Sequence, residues 1–398
     1  MDPIKITNRD FVFFGLQPWD IEIGSNCKNI AKEIAKNNRV LYVNKPLERS
    51  MQFKKDLNVS DRNRLRTIKT KQNILEKVDD NIWVLNPPVY YESINWLPHN
   101  YIYVWLNKLN TKKIAHVIQN AMNALDFKDV ILFNDNDFLK GAFLSDYLKF
   151  SKTIFYIRDF LLSQEYFIRH GKHLESHCLK SYNIVLANSL YLKNYASNYN
   201  INSFDIGQGC DVSNFIHKPK TIPEDIISIP KPIIGYCGVL FATRLSIPIL
   251  EEIVQKRTDW NIVLVGPEDE VFQKSTLHQF QNVHFLGLKD PKQLPSYMHA
   301  FDLCINPQLL NQMTIGNYPR KIDEYLAAGK PVVATYTEAM EYFSEVCYLA
   351  KDATSYIAHI EKALQEDSTL LQNKRVEVAS SHTWEASVAL LYNSLKLT

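Results

Sequence analysis

The residues best placed to do chemistry lie in TIGNYPRKIDEYLAAGKPVVAT, Thr314 to Thr335. The pattern predicts a helix whose N-terminal region carries Pro319, Arg320 and Lys321, with Glu324 one turn on and Gly329 as its stop. Pro331 to Ala334 then reads as an apolar strand. Proline in a first helical turn sacrifices no useful N–H, and glycine just past the last turn takes the left-handed conformation that ends a helix. The first turn offers free N–H groups and a partial positive charge, to which Lys321 adds a full one, a combination suited to a pyrophosphate. Glu324 could accept hydrogen bonds from a ribose diol. Helix–Gly–Pro–strand units also serve as plain scaffold in α/β domains, so the surrounding elements must decide between the two readings.

Those elements form a repeated series. After HKPKTIPEDIISIPKP, 217–232, whose four prolines and missing helical period mark a linker, come PIIGYCGVL, ending near Gly238, and WNIVLVGP, ending near Gly266. NVHFLG ends at Gly287, and DLCINP precedes the opening stretch. Each reads as strand, small residue, loop, helix. Glycines at strand ends allow a nucleotide to approach the backbone closely. The segment from Phe241 to Arg244 and the helix Ile247 to Lys256 follow the first of these strands.

The first half has a similar rhythm. DFVFFG (Asp10 to Gly15), RVLYVN, DVILFNDN, KTIFYIRDF and NIVLANS are apolar strands with helical segments between them, and a parallel sheet covered on both faces is the economical result. Gly24 and Ser25 stand just ahead of the first helix, which Ser25 or Asn26 could cap. No GxGxxG follows a strand, so a dinucleotide fold is not supported. Asp135, Asp137, Arg158 and Asp159 fall at or beyond carboxyl strand ends, where open α/β sheets place ligands; ordinary loop polarity explains each of them singly.

From Arg49 to Lys77 nine Lys/Arg stand against three acids. The segment reads as a solvated surface excursion or as a basic flap near anionic lipid headgroups or a phosphate-bearing acceptor. NWLPHNYIYVWLNKLN, 95–110, concentrates Trp96, Tyr101, Tyr103 and Trp105, as core, as membrane-interface aromatics or as an acceptor pocket.

At 398 residues, two domains are expected. A net charge of +2 is too small to point to nucleic acid, and six cysteines without a CxxC pair suggest reduced structural thiols rather than a zinc site or disulfide framework. No window approaches 18 uninterrupted apolar residues, and the N-terminus shows no cleavable apolar region. A soluble cytoplasmic chain is expected, with a peripheral position at the inner face of a membrane as the finer reading.

GYCGVL, VLVGP, NVHFLG, FDLCINP, YPRKIDEYLAAGKPVVAT and the late HTWE, in this order, resemble the GT-B glycosyltransferases, in particular the family-4-like enzymes (glycosyl transferases group 1) of bacterial surface polysaccharide biosynthesis. The resemblance covers Pro232 to Glu385 well and is weaker before it, where GSNCKNIA, Arg158-Asp159, NSLYL and GCDVSNF are similar to acceptor-domain landmarks. It implies two Rossmann-like domains with parallel sheets facing a central cleft: an acceptor domain over 1–216, a linker over 217–231, a nucleotide-sugar domain over 232–378, and a C-terminal helix, 379–398, crossing back to the first. It further implies that Glu324 holds the donor ribose and Lys321 meets the diphosphate, with Arg244 as a second cation. Backbone around Gly238, Gly266, Leu288, Thr314 and Gly316 would line the donor pocket, and Gly24, Ser25 and Arg158 would lie on the acceptor side.

The activity so implied is transfer of a hexose-like sugar from a UDP- or GDP-sugar to a glycan or lipid-linked glycan, without a bound metal or other cofactor. One departure stands out: retaining members commonly carry two glutamates with seven residues between them, and Gly316 occupies the first position. An inverting reaction would need a general base from the first domain, for which Asp159 is the first candidate, followed by Glu175 and His170; Asp159 equally reads as a salt-bridge partner of Arg158. A GT-B epimerase or phosphorylase and a non-catalytic sugar-nucleotide-binding subunit are the rival readings.

Overall fold

The computed structural model describes residues 5–20 and 25–398. The chain divides into two compact units, Met1–Gly209 with Trp384–Thr398, and Cys210–Thr383.

The first unit is built on eight strands: β1 (Asp10–Gly15), β2 (Arg39–Val43), β3 (Leu75–Asp79), β4 (Ile82–Leu85), β5 (Ile131–Asp135), β6 (Lys152–Ile157), β7 (Ile184–Ala187) and β8 (Ser203–Asp205). They are arranged in the order β3-β4-β2-β1-β5-β6-β7-β8. All neighbours run parallel except β3, which pairs antiparallel with β4 at the edge. Strands β3 and β4 are additional to those expected from the sequence: LEKVD is mostly exposed, as an edge strand can be, whereas IWVL is a short, mostly buried apolar run. The central strands are buried on both faces, which is why they read as continuous apolar runs. Phe11, Phe13, Tyr42, Phe133 and Tyr156 point to the layer holding α1 (Asn26–Ala35) and the last helix, Trp384–Leu397. Val12, Phe14, Leu41, Leu132 and Phe155 point to the opposite layer, with α3 (Asn100–Ala124) and α4 (Glu165–Ser181). Between β2 and β3 lies α2 (Val59–Thr70), and α5 (Leu190–Ser197) follows β7.

The second unit carries a six-stranded sheet of β9 (Ile233–Cys237), β10 (Asn261–Val265), β11 (Val283–Gly287), β12 (Leu303–Asn306), β13 (Val332–Thr335) and β14 (Tyr348–Ala350). The order is β11-β10-β9-β12-β13-β14 and every pair is parallel. The proline-rich residues 217–232 are not bare linker chain, because Ile226 is buried and Asp225 accepts hydrogen bonds from the Tyr297 hydroxyl (2.9 Å) and Lys289 (2.7 Å). His382 and Thr383 complete this unit, between the helix Thr369–Ser381 and the last helix.

Candidate active site

The helix carrying the predicted diphosphate and ribose residues spans Lys321–Ala327. It begins after Pro319, later than the sequence pattern suggested, because Tyr318 and Pro319 are held in an extended turn in which Arg320 N–H bonds the Tyr318 carbonyl and Ile322 N–H the Pro319 carbonyl. Its end follows expectation. Gly329 has φ +72°, its N–H bonds the Leu326 carbonyl, and Lys330 N–H reaches back to the Tyr325 carbonyl, the bonding that glycine supports after a last turn.

Three sets of contacts fix this short helix. Tyr325, fully buried, receives a hydrogen bond from Cys237 N–H (2.9 Å) and so ties the helix to the end of β9. Lys321 donates to the Tyr236 hydroxyl and its ammonium lies 4.0 Å from the centre of that ring. Asp323, completely enclosed, accepts from the Tyr318 hydroxyl (3.0 Å) and pairs with His382 Nδ1 (2.7 Å). Burial raises the Asp323 carboxyl, and the His382 bond and charge oppose that rise. Tyr236, Asp323 and His382 were not assigned roles from sequence. Tyr236 stands two residues before Gly238 on the same strand, so period-2 reasoning could have paired it with the site; nothing local links Asp323 to a histidine 59 residues away.

Glu324 is partly enclosed and joins Arg320, one turn earlier, at 3.3 Å. Burial pushes its carboxyl above the usual range, while the charges of Arg320 and Lys321 pull against the rise. The glycines at the strand ends are required by geometry. Gly238, φ +143°, lies where an added Cβ would come 2.8 Å from Lys321 Nζ, and Gly266, φ +150°, where it would sit 1.9 Å from the Gly238 carbonyl oxygen. β9 and β10 therefore meet backbone to backbone beside Lys321, with Gly238 N–H bonded to the Val265 carbonyl.

Other predicted donor-side residues are placed as follows. Arg244 is exposed, its carbonyl accepting from Leu309 N–H. Leu288 projects into solvent just past β11, 77% exposed. Thr314 is buried and its hydroxyl bonds the Leu309 carbonyl, so it shapes the 308–314 turn with Asn311 and Gln308. Gly316 is buried in the turn that follows. The described structure thus brings Gly238, Gly266, Lys321 and Glu324 into one anchored platform.

In the first unit, Gly24 lies outside the described residues. Ser25 is the N-cap of α1, accepting from Lys28 N–H (3.2 Å), and Asn26 instead exchanges two hydrogen bonds with Gln208. Arg158 bridges the buried Asp135 (2.8 Å) and the half-exposed Asp159 (2.9 Å). Asn136 donates to the Asp159 carbonyl (2.9 Å). Glu175 is enclosed and accepts from the Tyr195 hydroxyl (2.6 Å); burial pushes its carboxyl up to about 7. His170 stacks on Tyr103 with ring centres 3.9 Å apart, and burial lowers its basicity. Sequence reasoning did not find the ion pair of Lys140, almost fully buried, with Glu48 (3.1 Å). Asp137 accepts from Lys140 N–H at the same strand end.

The basic stretch 49–77 is folded rather than a loose flap. Arg49 pairs with Glu92 (2.6 Å), and Arg64, 7% exposed, pairs with Asp20 (2.5 Å) and Asp61 (3.1 Å) from within α2. All six cysteines are free and buried. Among the described residues, no group of three or more His, Cys, Asp or Glu is arranged to hold a metal, and no helix is long and apolar enough to cross a membrane.

Two units of parallel α/β architecture, the second ending its strands at a helix-borne lysine and glutamate, define the GT-B fold. Sucrose-phosphate synthase from Thermosynechococcus elongatus shares it over 98% of both chains, with a TM-score of 0.62 at 14% identity. So does HepE from Anabaena in complex with UDP, over 98% of this chain and 99% of that one, with a TM-score of 0.64 at 15% identity. A second HepE structure, with UDP-glucose, has a TM-score of 0.61 at 16% identity over 97% and 98% of the two chains. Residues 231–366 match the family Glycosyl transferases group 1. The chain is also 31% identical over 161 residues to TuaH of Bacillus subtilis (strain 168), whose description as a teichuronic acid biosynthesis glycosyltransferase is itself provisional. That match spans 38% of this chain and 40% of the relative's length.

Proposed function

We propose that this chain is a glycosyltransferase that moves a sugar from a nucleotide diphosphate sugar to a hydroxyl of a glycan or lipid-linked glycan, in the assembly of a bacterial surface polysaccharide. The observation that carries the reading is the platform of Gly238, Gly266, Lys321 and Glu324, lying inside the segment that matches a glycosyltransferase family. As the bond from the sugar to the diphosphate breaks, negative charge accumulates on the leaving group. A lysine held in place by Tyr236 stabilises that charge without having to reorganise, and the side-chain-free glycines at the strand ends let the diphosphate come close to it. Glu324 holds the ribose diol, and Arg320 keeps its carboxylate aimed. The HepE complexes with UDP and UDP-glucose make uridine donors the first to try.

On the acceptor side, Asp159 takes the proton of the attacking hydroxyl, and Arg158, fixed by Asp135, sets the orientation of its carboxylate. The enzyme works in the cytoplasm at the inner face of the membrane and without a metal. Incubation with UDP- and GDP-sugars, with and without glycan acceptors, tests the reading. Acceptor-dependent nucleotide release that persists in EDTA is expected. Conversion of the sugar nucleotide alone would instead make the chain an epimerase. Donor binding without turnover on any acceptor would make it a binding subunit, the reading that Gly316 in place of a first glutamate favours.

A further inference from the structure

The aromatics of 95–110 divide sharply. Tyr103 is buried, but Trp96, Tyr101 and Trp105 are 68%, 72% and 63% exposed, and Leu109 is 44% exposed. Tyr101, Trp105 and Leu109 recur every four residues on α3, so they form one outward stripe, while Asn107, Thr111 and Ile114 face inward. Trp96 is set beside the start of this stripe by fixed contacts. Its indole N–H bonds the Ser93 carbonyl (2.9 Å), its own carbonyl accepts from Arg169 of α4 (2.9 Å), and Asn95 donates to the Tyr166 carbonyl (2.9 Å). Tyr166 and Ile168, on the first turn of α4, are themselves 51% and 43% exposed. Together the three large aromatics expose on the order of 500 Å², an area at which an apolar patch on a soluble surface usually serves a contact.

The rim of this ridge is basic. Lys112 lies on the same face of α3, eleven residues after Tyr101, and Lys172 one turn past Ile168 on α4; both are exposed, and among the described residues no hydrogen bond or ion pair holds them. The 3-10 turn Arg49–Phe53 is tied to the same loop through Ser50 and Ser93 (2.8 Å) and ends in Phe53, 79% exposed, followed by exposed Lys54 and Lys55. Acids nearby are spent on other cations: Asp146 pairs with Lys108 of α3 (2.8 Å), and Glu92 with Arg49 and Lys113 (2.6 and 3.2 Å); Asp56 and Glu165 are exposed acids in the same segments. Large amphipathic rings among unpaired lysines are what an anionic bilayer surface accommodates, with the rings at headgroup level and the ammoniums on phosphates. A second copy of the chain fits less well, since a two-fold contact would set Lys112 and Lys172 against their own kind.

We propose that this ridge docks the chain on an anionic lipid surface. The site of docking is the α3–α4 face, where exposed rings and lysines coincide, and not the helical part of the basic stretch, which contains no aromatic residue and whose Arg64 is paired internally. The position suits a lipid-borne acceptor. Asn107, one turn past Tyr103, bonds the Leu139 carbonyl (2.8 Å), and Tyr103 stacks on His170, so the root of the ridge adjoins the carboxyl end of β5, where Asp137 and Lys140 lie. That last consequence rests on the proposed function; the docking itself does not.

Vesicle sedimentation of the full chain separates the possibilities. With vesicles of phosphatidylglycerol and phosphatidylethanolamine, binding is expected that falls about tenfold or more in Tyr101→Ser/Trp105→Ser, falls in Lys112→Glu/Lys172→Glu, and is weak on pure phosphatidylcholine. Both variants change exposed side chains, and unchanged thermal unfolding and donor-induced stabilisation would show that they remain folded. Quenching of tryptophan emission by brominated lipid, lost in Trp96→Phe/Trp105→Phe, is the second expected readout. No binding to anionic vesicles, or binding that the Tyr101/Trp105 variant leaves intact, overturns the proposal. So does a concentration-dependent dimer that the same variant abolishes in the absence of any lipid binding. Vesicle binding without sugar transfer would leave the docking standing and remove the catalytic reading, whereas transfer to a soluble glycan without vesicle binding would do the reverse.

Discussion

Lys321 and Glu324 illustrate how little of a residue's role lies in its own chemistry. A lysine at a helix start is ordinary. This one is held by a tyrosine face and hydroxyl beneath it and by a glycine that leaves no room for a Cβ beside its ammonium. Replacing Lys321 with alanine is expected to weaken nucleotide diphosphate binding roughly 10- to 100-fold, the worth of one charge-assisted contact, with little change in stability, as calorimetry of UDP binding would show. Glu175 makes the opposite case, a titratable group spent on packing. Its ordinary value is 4.5 and burial lifts it to about 7, so the folded chain keeps a proton that the unfolded chain releases between these values. Stability from this group is complete below pH 4.5 and is lost as pH rises through about 7. Glu175→Gln, which keeps an oxygen for the Tyr195 hydroxyl, should therefore leave stability unchanged near pH 4 and raise it at pH 8 by up to roughly 3 kcal/mol, as denaturant melts at the two pH values would report.

At the scale of elements, the short helix Lys321–Ala327 depends on what surrounds it. Seven residues form no stable helix alone, and the N-cap residue Arg320 makes no side-chain capping bond. Its position is set by Tyr325 on β9 and by the Asp323–His382 pair, which explains why a histidine lies just before the last helix. Asp323→Ala leaves His382 and Tyr318 without their shared carboxylate and should cost about 2–4 kcal/mol, with weaker donor binding although the residue meets no donor. Gly266→Ala is a sharper test of the strand ends. The new methyl would meet the Gly238 carbonyl at 1.9 Å, so a loss of ~3 kcal/mol or more is expected. At Gly287, where nothing lies within 4 Å of the added carbon, only the left-handed backbone is penalised, by roughly 1–2 kcal/mol. Thermal unfolding of the two variants side by side should show that order.

For the whole molecule, the return of the chain end matters most. Val388, Leu391 and Tyr392 of the last helix complete the core beneath Phe11, Phe13 and Ile34, and the Tyr392 hydroxyl accepts from Asn38 (2.9 Å). Gly209 lies against the Trp384 indole with no space for a Cβ. A chain truncated after Thr383 should lose the unfolding transition of the first unit while keeping that of the second, which scanning calorimetry would resolve.

The sequence by itself determined the α/β class, five of the six strands of the second unit, the central strands of the first, and the placing of Lys321 and Glu324 on one short helix, because these rest on local periodicity and on glycine and proline chemistry. Tertiary structure decided the rest. The edge strand β3 has no apolar pattern because it has one neighbour; Tyr236 and His382 reach the site only once β9 and the chain end are folded against it. Trp96, Tyr101 and Trp105 were indistinguishable from core aromatics until α3 was placed, since burial depends on which face of a helix meets the sheet, and short-range spacing does not specify that face when both sides are apolar.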